Sequence, residues 1–146
     1  MDAPGCTPDH VLDLLRSVEA RFAATRTVAD WPDPLADRGL ALANMGDIDR
    51  QSIAGAISTG THGTGAGFGS IHTTVTALQI VTGTGEILDC DAQQNPELFA
   101  AARVSLGALG VVTELELAVV PSFVLRATER PDRLDRALAD LPAGRP

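Results

Sequence analysis

The segment from Asp47 to Gly69, DIDRQSIAGAISTGTHGTGAGFG, carries the residue types and spacing that speak most directly of chemistry. Six of the fourteen glycines (Gly55, Gly60, Gly63, Gly65, Gly67 and Gly69) fall within fifteen residues, interleaved with Ser58, Thr59, Thr61, His62 and Thr64. No Asp, Glu, Lys or Arg occurs between Arg50 and Glu86. Glycines let backbone N–H groups approach a ligand closely, and the hydroxyls add short-range donors. The combination predicts a loop that holds a large, flat ligand with a polar edge. A solvated glycine linker would carry more Ser, Pro or charge and would not be flanked by apolar segments.

Other chemistries fit the residues less well. A dinucleotide fingerprint needs strand, glycine turn, helix and then an acid some twenty positions on. Here a strand is expected after the loop, and the next acid is Glu86. A hydrolase would join Ser58 to His62 and Asp47 or Asp49, yet Ser58 does not sit in G-x-S-x-G. The three histidines, His10, His62 and His72, match no familiar ligand spacing, so no metal is expected. Every basic side chain is Arg, which excludes a Walker phosphate loop and Schiff-base lysine chemistry. Cys6 and Cys90 stand far apart and read as free thiols. His62 has two open readings: an imidazole facing a bound cofactor, or a bond to a backbone carbonyl that holds the loop. No residue is singled out as catalytic.

The elements that must position this loop read as follows. Residues 7–24 predict a helix, with Thr7 as cap, Pro8 at the first position and an apolar stripe of Val11, Leu14, Leu15, Val18 and Phe22. A helical turn is expected at 34–38, capped by Asp33 and ended by Gly39. Ser52–Ile57 forms a short helix or turn. Thr73–Thr82 and Glu86–Cys90 predict a hairpin across Gly83-Thr84-Gly85. Asn95 caps a helix running to about Val104, and Gly107 to Gly110 break it. Val111–Val120 predicts a strand with Leu115, Leu117 and Val119 on one face and Glu114 and Glu116 on the other. Asp132–Leu141 closes the chain as an amphipathic helix. Hairpins and helices without regular βαβ alternation predict an α+β fold.

At 146 residues the chain fits one domain, with 45 % hydrophobic and 21 % charged residues. Aromatics amount to 3 %, so the core must be aliphatic. Eleven basic against nineteen acidic side chains give −8, which argues against nucleic acid or an anionic membrane as partner. The N-terminus shows neither a basic stretch nor an apolar segment, and a cytoplasmic location is expected.

The run GDIDRQSIAGAISTGTHGTGAGFG, the hairpin after it, NPELFAAARVSLGALGVVTELEL and a Val-Pro exit together resemble the FAD-binding domain of aldonolactone oxidoreductases. This family holds gulonolactone, galactonolactone and arabinonolactone oxidases or dehydrogenases, with alditol oxidase a close relative, all of the vanillyl-alcohol-oxidase type. The resemblance covers Gly39 to about Arg126. It implies FAD as cofactor and the second subdomain of that fold, a mixed or antiparallel sheet flanked by helices. It also implies a divided chain: a divergent segment of helix plus loop at 1–38, the FAD-binding subdomain at 39–126, and from 127 to 146 the start of a crossover to a substrate domain. By the same resemblance Ser52, Gly55, Thr59, Gly60, Thr61 and His62 contact flavin and pyrophosphate. Asp47 stands at the turn entering the loop, and Val111 and Val112 meet the adenosine end. Most members tether the flavin through a histidine in Gly-His-Ser, within an N-terminal half-domain that carries a second glycine loop. This sequence has no Gly-His-Ser, so the resemblance implies a half-domain beyond this chain as a partner. The function implied is oxidation of a sugar lactone or polyol hydroxyl, with hydride passing to flavin N5 and on to O₂ or another acceptor. This segment alone is expected to be inactive. The alternative is a non-catalytic module of the same fold with weak or no FAD binding.

Overall fold

The computed structural model describes residues 19–139 apart from residues 25, 31, 66, 128 and 130. Along the chain its elements are β1 (Glu19–Ala23), α1 (Pro32–Ala36), β2 (Leu40–Ala41), α2 (Ile53–Ser58), β3 (Val75–Val81), β4 (Ile87–Asp91), α3 (Pro96–Ala102), β5 (Val111–Ala118), β6 (Val120–Pro121) and α4 (Leu134–Ala139). Two 3-10 turns, Val28–Asp30 and Ile71–Thr74, lie between them. The main sheet has the order β1-β5-β3-β4 with every neighbour antiparallel, and β2 and β6 form a separate antiparallel pair. The architecture is the α+β one expected.

One core organises it. Leu115 and Leu117 of β5, Val75, Leu78 and Ile80 of β3 and Cys90 of β4 share the inner face. Val75 and Leu78 are three residues apart, which strict alternation would send to opposite faces. The register shift between Val75 and Ala77 brings both inward, as a bulge does. A second shift between Gln79 and Ile80 does the same for Val112 and Leu115. Helix α2 lays Ile53, Ala56 and Ile57 on this face, and α3 adds Phe99 and Ala102, each at helical i, i+3 or i+4 spacing. The other face is polar: Gln79 Nε2 donates to Asp89 Oδ1 at 3.1 Å, and Thr113 Oγ1 donates to Gln79 Oε1 at 2.9 Å.

The structure corrects several expectations. Residues 19–23 are strand β1, not the end of a helix; the rest of that expected helix, residues 7–18, lies outside the described residues. The reason is tertiary: β5 would otherwise expose an open edge, and Glu19-Ala20-Arg21-Phe22-Ala23 alternates as well as it spirals. The expected turn at 34–38 begins at Pro32, which leaves Asp33 inside α1 and no longer its cap. Gly39 ends that turn at φ +68°, as expected. Asn95 precedes α3 in a left-handed conformation and its side chain accepts nothing there. Its Nδ2 donates instead to the Asp89 carbonyl at 2.9 Å, tying the helix to β4. Thr73 and Thr74 belong to the 3-10 turn, not to β3. The expected strand 111–120 stops at Ala118, and Val120 pairs with β2 instead. Helix α4 buries none of its residues. No helix among the described residues is long and apolar enough to cross a membrane.

Candidate functional site

Helix α2 hands the chain into the glycine loop. Ser52 caps it, its Oγ accepting from the Gly55 N–H at 3.1 Å. The helix starts against the sheet: Ala54 N–H donates to the Ala24 carbonyl, and Ala24 N–H to the Thr113 carbonyl on β5. It ends at Gly60, whose φ of +68° turns the chain without a Cβ penalty. Beyond it a chain of hydroxyls closes on itself. Thr59 Oγ1 donates to the Gly55 carbonyl at 2.9 Å and lies 3.3 Å from Thr61 Oγ1, which donates to Gln51 Oε1 at 3.0 Å. Ser52, Thr59 and Thr61 thus shape the loop through their side chains.

Backbone groups are left to meet a ligand. The N–H groups of His62, Gly63, Thr64 and Gly65 donate to no carbonyl among the described residues. The loop beneath them is seated on Asn44, Met45 and Gly46. Asn44 Nδ2 donates to the Thr64 carbonyl at 3.2 Å, and its Oδ1 accepts from Met45 N–H at 3.1 Å. A Cβ on Gly63 would fall on the Met45 carbonyl oxygen and Asn44 Oδ1, and one on Gly46 would sit 3.0 Å from Thr61 Cγ2. His62 is exposed, with Nδ1 2.9 Å from the Gly63 carbonyl, so its ring bonds a backbone carbonyl and still faces solvent. Asp47, exposed, follows Gly46 at the loop's floor.

The expected site residues fall in two groups. Asp47, Thr59, Gly60, Thr61 and His62 gather at the end of α2. Ser52 and Gly55 stand at its start, linked through Ala24 to the end of β5 that carries Val111 and Val112. Val111 is exposed and Val112 packs against the core. The glycine loop joins the opposite end of the β3–β5 pair: Ile71 N–H donates to the Thr61 carbonyl, and Val75 aligns with Leu117. Ser52 and Gly55 adjoin the loop, Thr59 Oγ1 donating to the Gly55 carbonyl at 2.9 Å, whereas Val111 and Val112 are held from it by the length of β3, Val75–Val81. At the usual rise of a strand that length is roughly 20 Å. An extended dinucleotide can span it, whereas a compact substrate cannot.

Electrostatics favour the same face. The outer side of the sheet has a depression lined by Gln79, Asp89, Asp91, Gln94, Glu114 and Glu116, where a diphosphate would be repelled. Around the loop, no charged side chain lies between Arg50 and Glu86. A row of N–H donors on a segment without charged side chains suits a diphosphate or the polar edge of a flavin, so the residues fit FAD.

Sequence reading gave no weight to His72 and Arg103. His72 Nδ1 lies 2.7 Å from Ser70 Oγ. Burial, and then the Arg103 charge, push its pKa below the usual 6.5. The fold therefore prefers neutral His72, while the unfolded chain takes up a proton at the ordinary value. Stability from this group is complete above about pH 6.5 and is lost as pH falls from there through the lowered value. Between pH 7.5 and 5.5 the melting temperature is expected to drop more for the wild type than for His72→Gln, with equal drops overturning the assignment. Arg103 lies over the Phe99 ring at 4.7 Å. Its Nε, with Thr76 Oγ1 and Ser105 Oγ, is buried without a hydrogen-bond partner among the described residues. Nothing in the helical pattern at 95–104 signals this. Cys90 is a buried free thiol whose pKa is raised by burial and by Asp89 and Asp91, which fits an inert core residue. Among the described residues no group of His, Cys, Asp and Glu could hold a metal ion.

The sequence profile of the family described as FAD binding domain matches residues 9–91. L-gulonolactone oxidase of Bos taurus is 42% identical over 114 residues, covering 78% of this chain and 26% of that protein. L-gulono-1,4-lactone dehydrogenase of Mycobacterium tuberculosis is 43% identical over 107 residues, covering 73% of this chain and 24% of that protein. The crystal structure of 6-hydroxy-D-nicotine oxidase from Arthrobacter nicotinovorans aligns with a TM-score of 0.64 at 27% identity, over 73% of this chain and 24% of that one. The chain therefore spans about a quarter of the length of these relatives.

Proposed function

Since the chain belongs to the FAD binding domain family, whose cofactor is FAD, we propose that it is the flavin-holding part of an oxidoreductase acting on a sugar lactone or a related polyol hydroxyl. The observation that carries this reading is the row of N–H groups at His62, Gly63, Thr64 and Gly65, which find no acceptor among the described residues, over a glycine-tight floor. The relatives' names supply the substrate class, since both act on L-gulonolactone. Bound FAD supplies a hydride acceptor, and O₂ or another acceptor then removes the electrons.

In this reading the N–H row and His62 meet the flavin and its diphosphate. Gly55, half-buried on α2, keeps the path along the helix open, with Ser52 holding the helix start. Val111 and Val112 take the adenosine end, and Asp47 borders the loop entrance. Substrate oxidation is assigned to the further length that the relatives possess, so this segment binds flavin without turning over substrate.

The test is a visible spectrum of the purified chain after incubation with FAD and desalting. Flavin absorbance is expected to stay with the wild type and to be lost from Gly60→Val. A β-branched residue there would have to adopt φ +68°. A folded wild-type chain that comes through desalting colourless overturns the reading. Equal retention by Gly60→Val overturns the loop assignment alone.

A further inference from the structure

We propose that Asn44 is the positioning residue of the flavin loop, the side chain that aims the Thr64–Gly65 peptide so that its N–H faces the ligand. The inference rests on reading this loop as the flavin site. In a trans peptide the C=O and the following N–H point in opposite directions. Asn44 Nδ2 holds the Thr64 carbonyl toward the floor at 3.2 Å, so the Gly65 N–H is turned away from it. Two neighbouring peptides are set in the same sense by other partners. Ile71 N–H holds the Thr61 carbonyl at 2.9 Å, which turns the His62 N–H outward. The His62 carbonyl lies over Gly46, which turns the Gly63 N–H outward. The first of these peptides is fixed by a backbone hydrogen bond, whereas the Thr64–Gly65 peptide is fixed by a side chain.

The placement of Asn44 is itself fixed. Leu42, two residues earlier, is buried in the core, Met45 packs against that core, and β2 just before them pairs with β6. Asn44 Oδ1 accepts from Met45 N–H at 3.1 Å, so the carboxamide is held at both ends with its donor toward Thr64. Without that donor the Thr64–Gly65 peptide is free to turn over, and a carbonyl oxygen would then face the diphosphate in place of an N–H. An aspartate here keeps the acceptor for Met45, loses the donor, and adds a negative charge beneath an anion-binding row.

The experiment measures FAD affinity by flavin fluorescence for wild type, Asn44→Ala and Asn44→Asp, with the NMR order parameter of the Gly65 amide in each chain without FAD. Cys90→Ala, a core change on β4 remote from the loop floor, serves as a control for stability loss. Asn44→Ala is expected to weaken FAD about ten-fold, on the scale of one positioning hydrogen bond. Asn44→Asp is expected to weaken it further, and its extra loss should shrink as salt is raised, because charge repulsion is screened. The order parameter of the Gly65 amide should fall in both, while Cys90→Ala leaves affinity unchanged. Wild-type affinity in both Asn44 variants overturns the proposal, and so does an equal affinity loss in Cys90→Ala. If the wild type binds no FAD, the functional reading falls by itself, and an unaltered Gly65 order parameter in Asn44→Ala then overturns the role of Asn44 independently.

Discussion

Gly63→Ala is expected to abolish flavin retention and to destabilise the chain by roughly 1–3 kcal/mol, the usual cost of forcing an extra group into a packed site. The added Cβ would fall on the Met45 carbonyl oxygen and Asn44 Oδ1. Neither neighbour can yield cheaply. Met45 O is backbone next to a core-packed side chain, and the Asn44 carboxamide is held by two hydrogen bonds. The loop must therefore lift from its floor, carrying the His62–Gly65 N–H row with it. Gly67→Ala is the matched control, since nothing lies within 4 Å of a Cβ there. Like other surface changes, it should stay within about 0.5 kcal/mol of wild type. Urea midpoints and flavin absorbance after desalting decide the matter. Wild-type behaviour of Gly63→Ala on both would show that the loop does not rest on residues 44–46.

The contrast between these two glycines marks how far the sequence could be read. Glycine density located the loop, but composition does not distinguish Gly63, where a floor forbids a side chain, from Gly67, which borders open space. Local signals carried the elements whose rules are local. Ser52 caps α2, Gly39 ends α1, and the hairpin turns at Gly83-Thr84-Gly85 with Gly85 at φ +83°. The facing of β5 was legible for the same reason, since Leu115 and Leu117 are fully buried, as is Val119 just beyond its end. Residues 19–23 went the other way, because strand β1 is decided by the open edge of β5, far along the chain. The site showed the same division. Ser52, Thr59 and Thr61 were legible as hydroxyls, but their bonds run within the helix end and loop, and the proposed contacts fall to N–H groups that nearly any residue possesses. Asn44 could not be found in this way, because its meaning lies in a carbonyl twenty residues on.

Leu117→Ala is expected to cost about 3–5 kcal/mol, a large part of the roughly 5–15 kcal/mol that holds a typical domain together. Leu117 is fully buried on β5, aligned with Ala20 of β1 on one side and Val75 of β3 on the other. Removing it opens a cavity where two strand pairings meet, and the surrounding strands cannot close on it without losing register. The position also carries a functional consequence. Val75 follows directly on the 3-10 turn Ile71–Thr74, and Ile71 both packs in the core and donates its N–H to the Thr61 carbonyl. Loosening that end of the sheet should therefore loosen the glycine loop before it affects the distant Val81–Val111 end. Chemical denaturation should show the stability loss, and amide exchange should show protection falling first at residues 71–75. A uniform loss of protection along β3 would mean that the loop end and the adenosine end of the sheet open together. The two halves of the proposed cofactor path would then depend on one cooperative unit, and Leu117 would hold both.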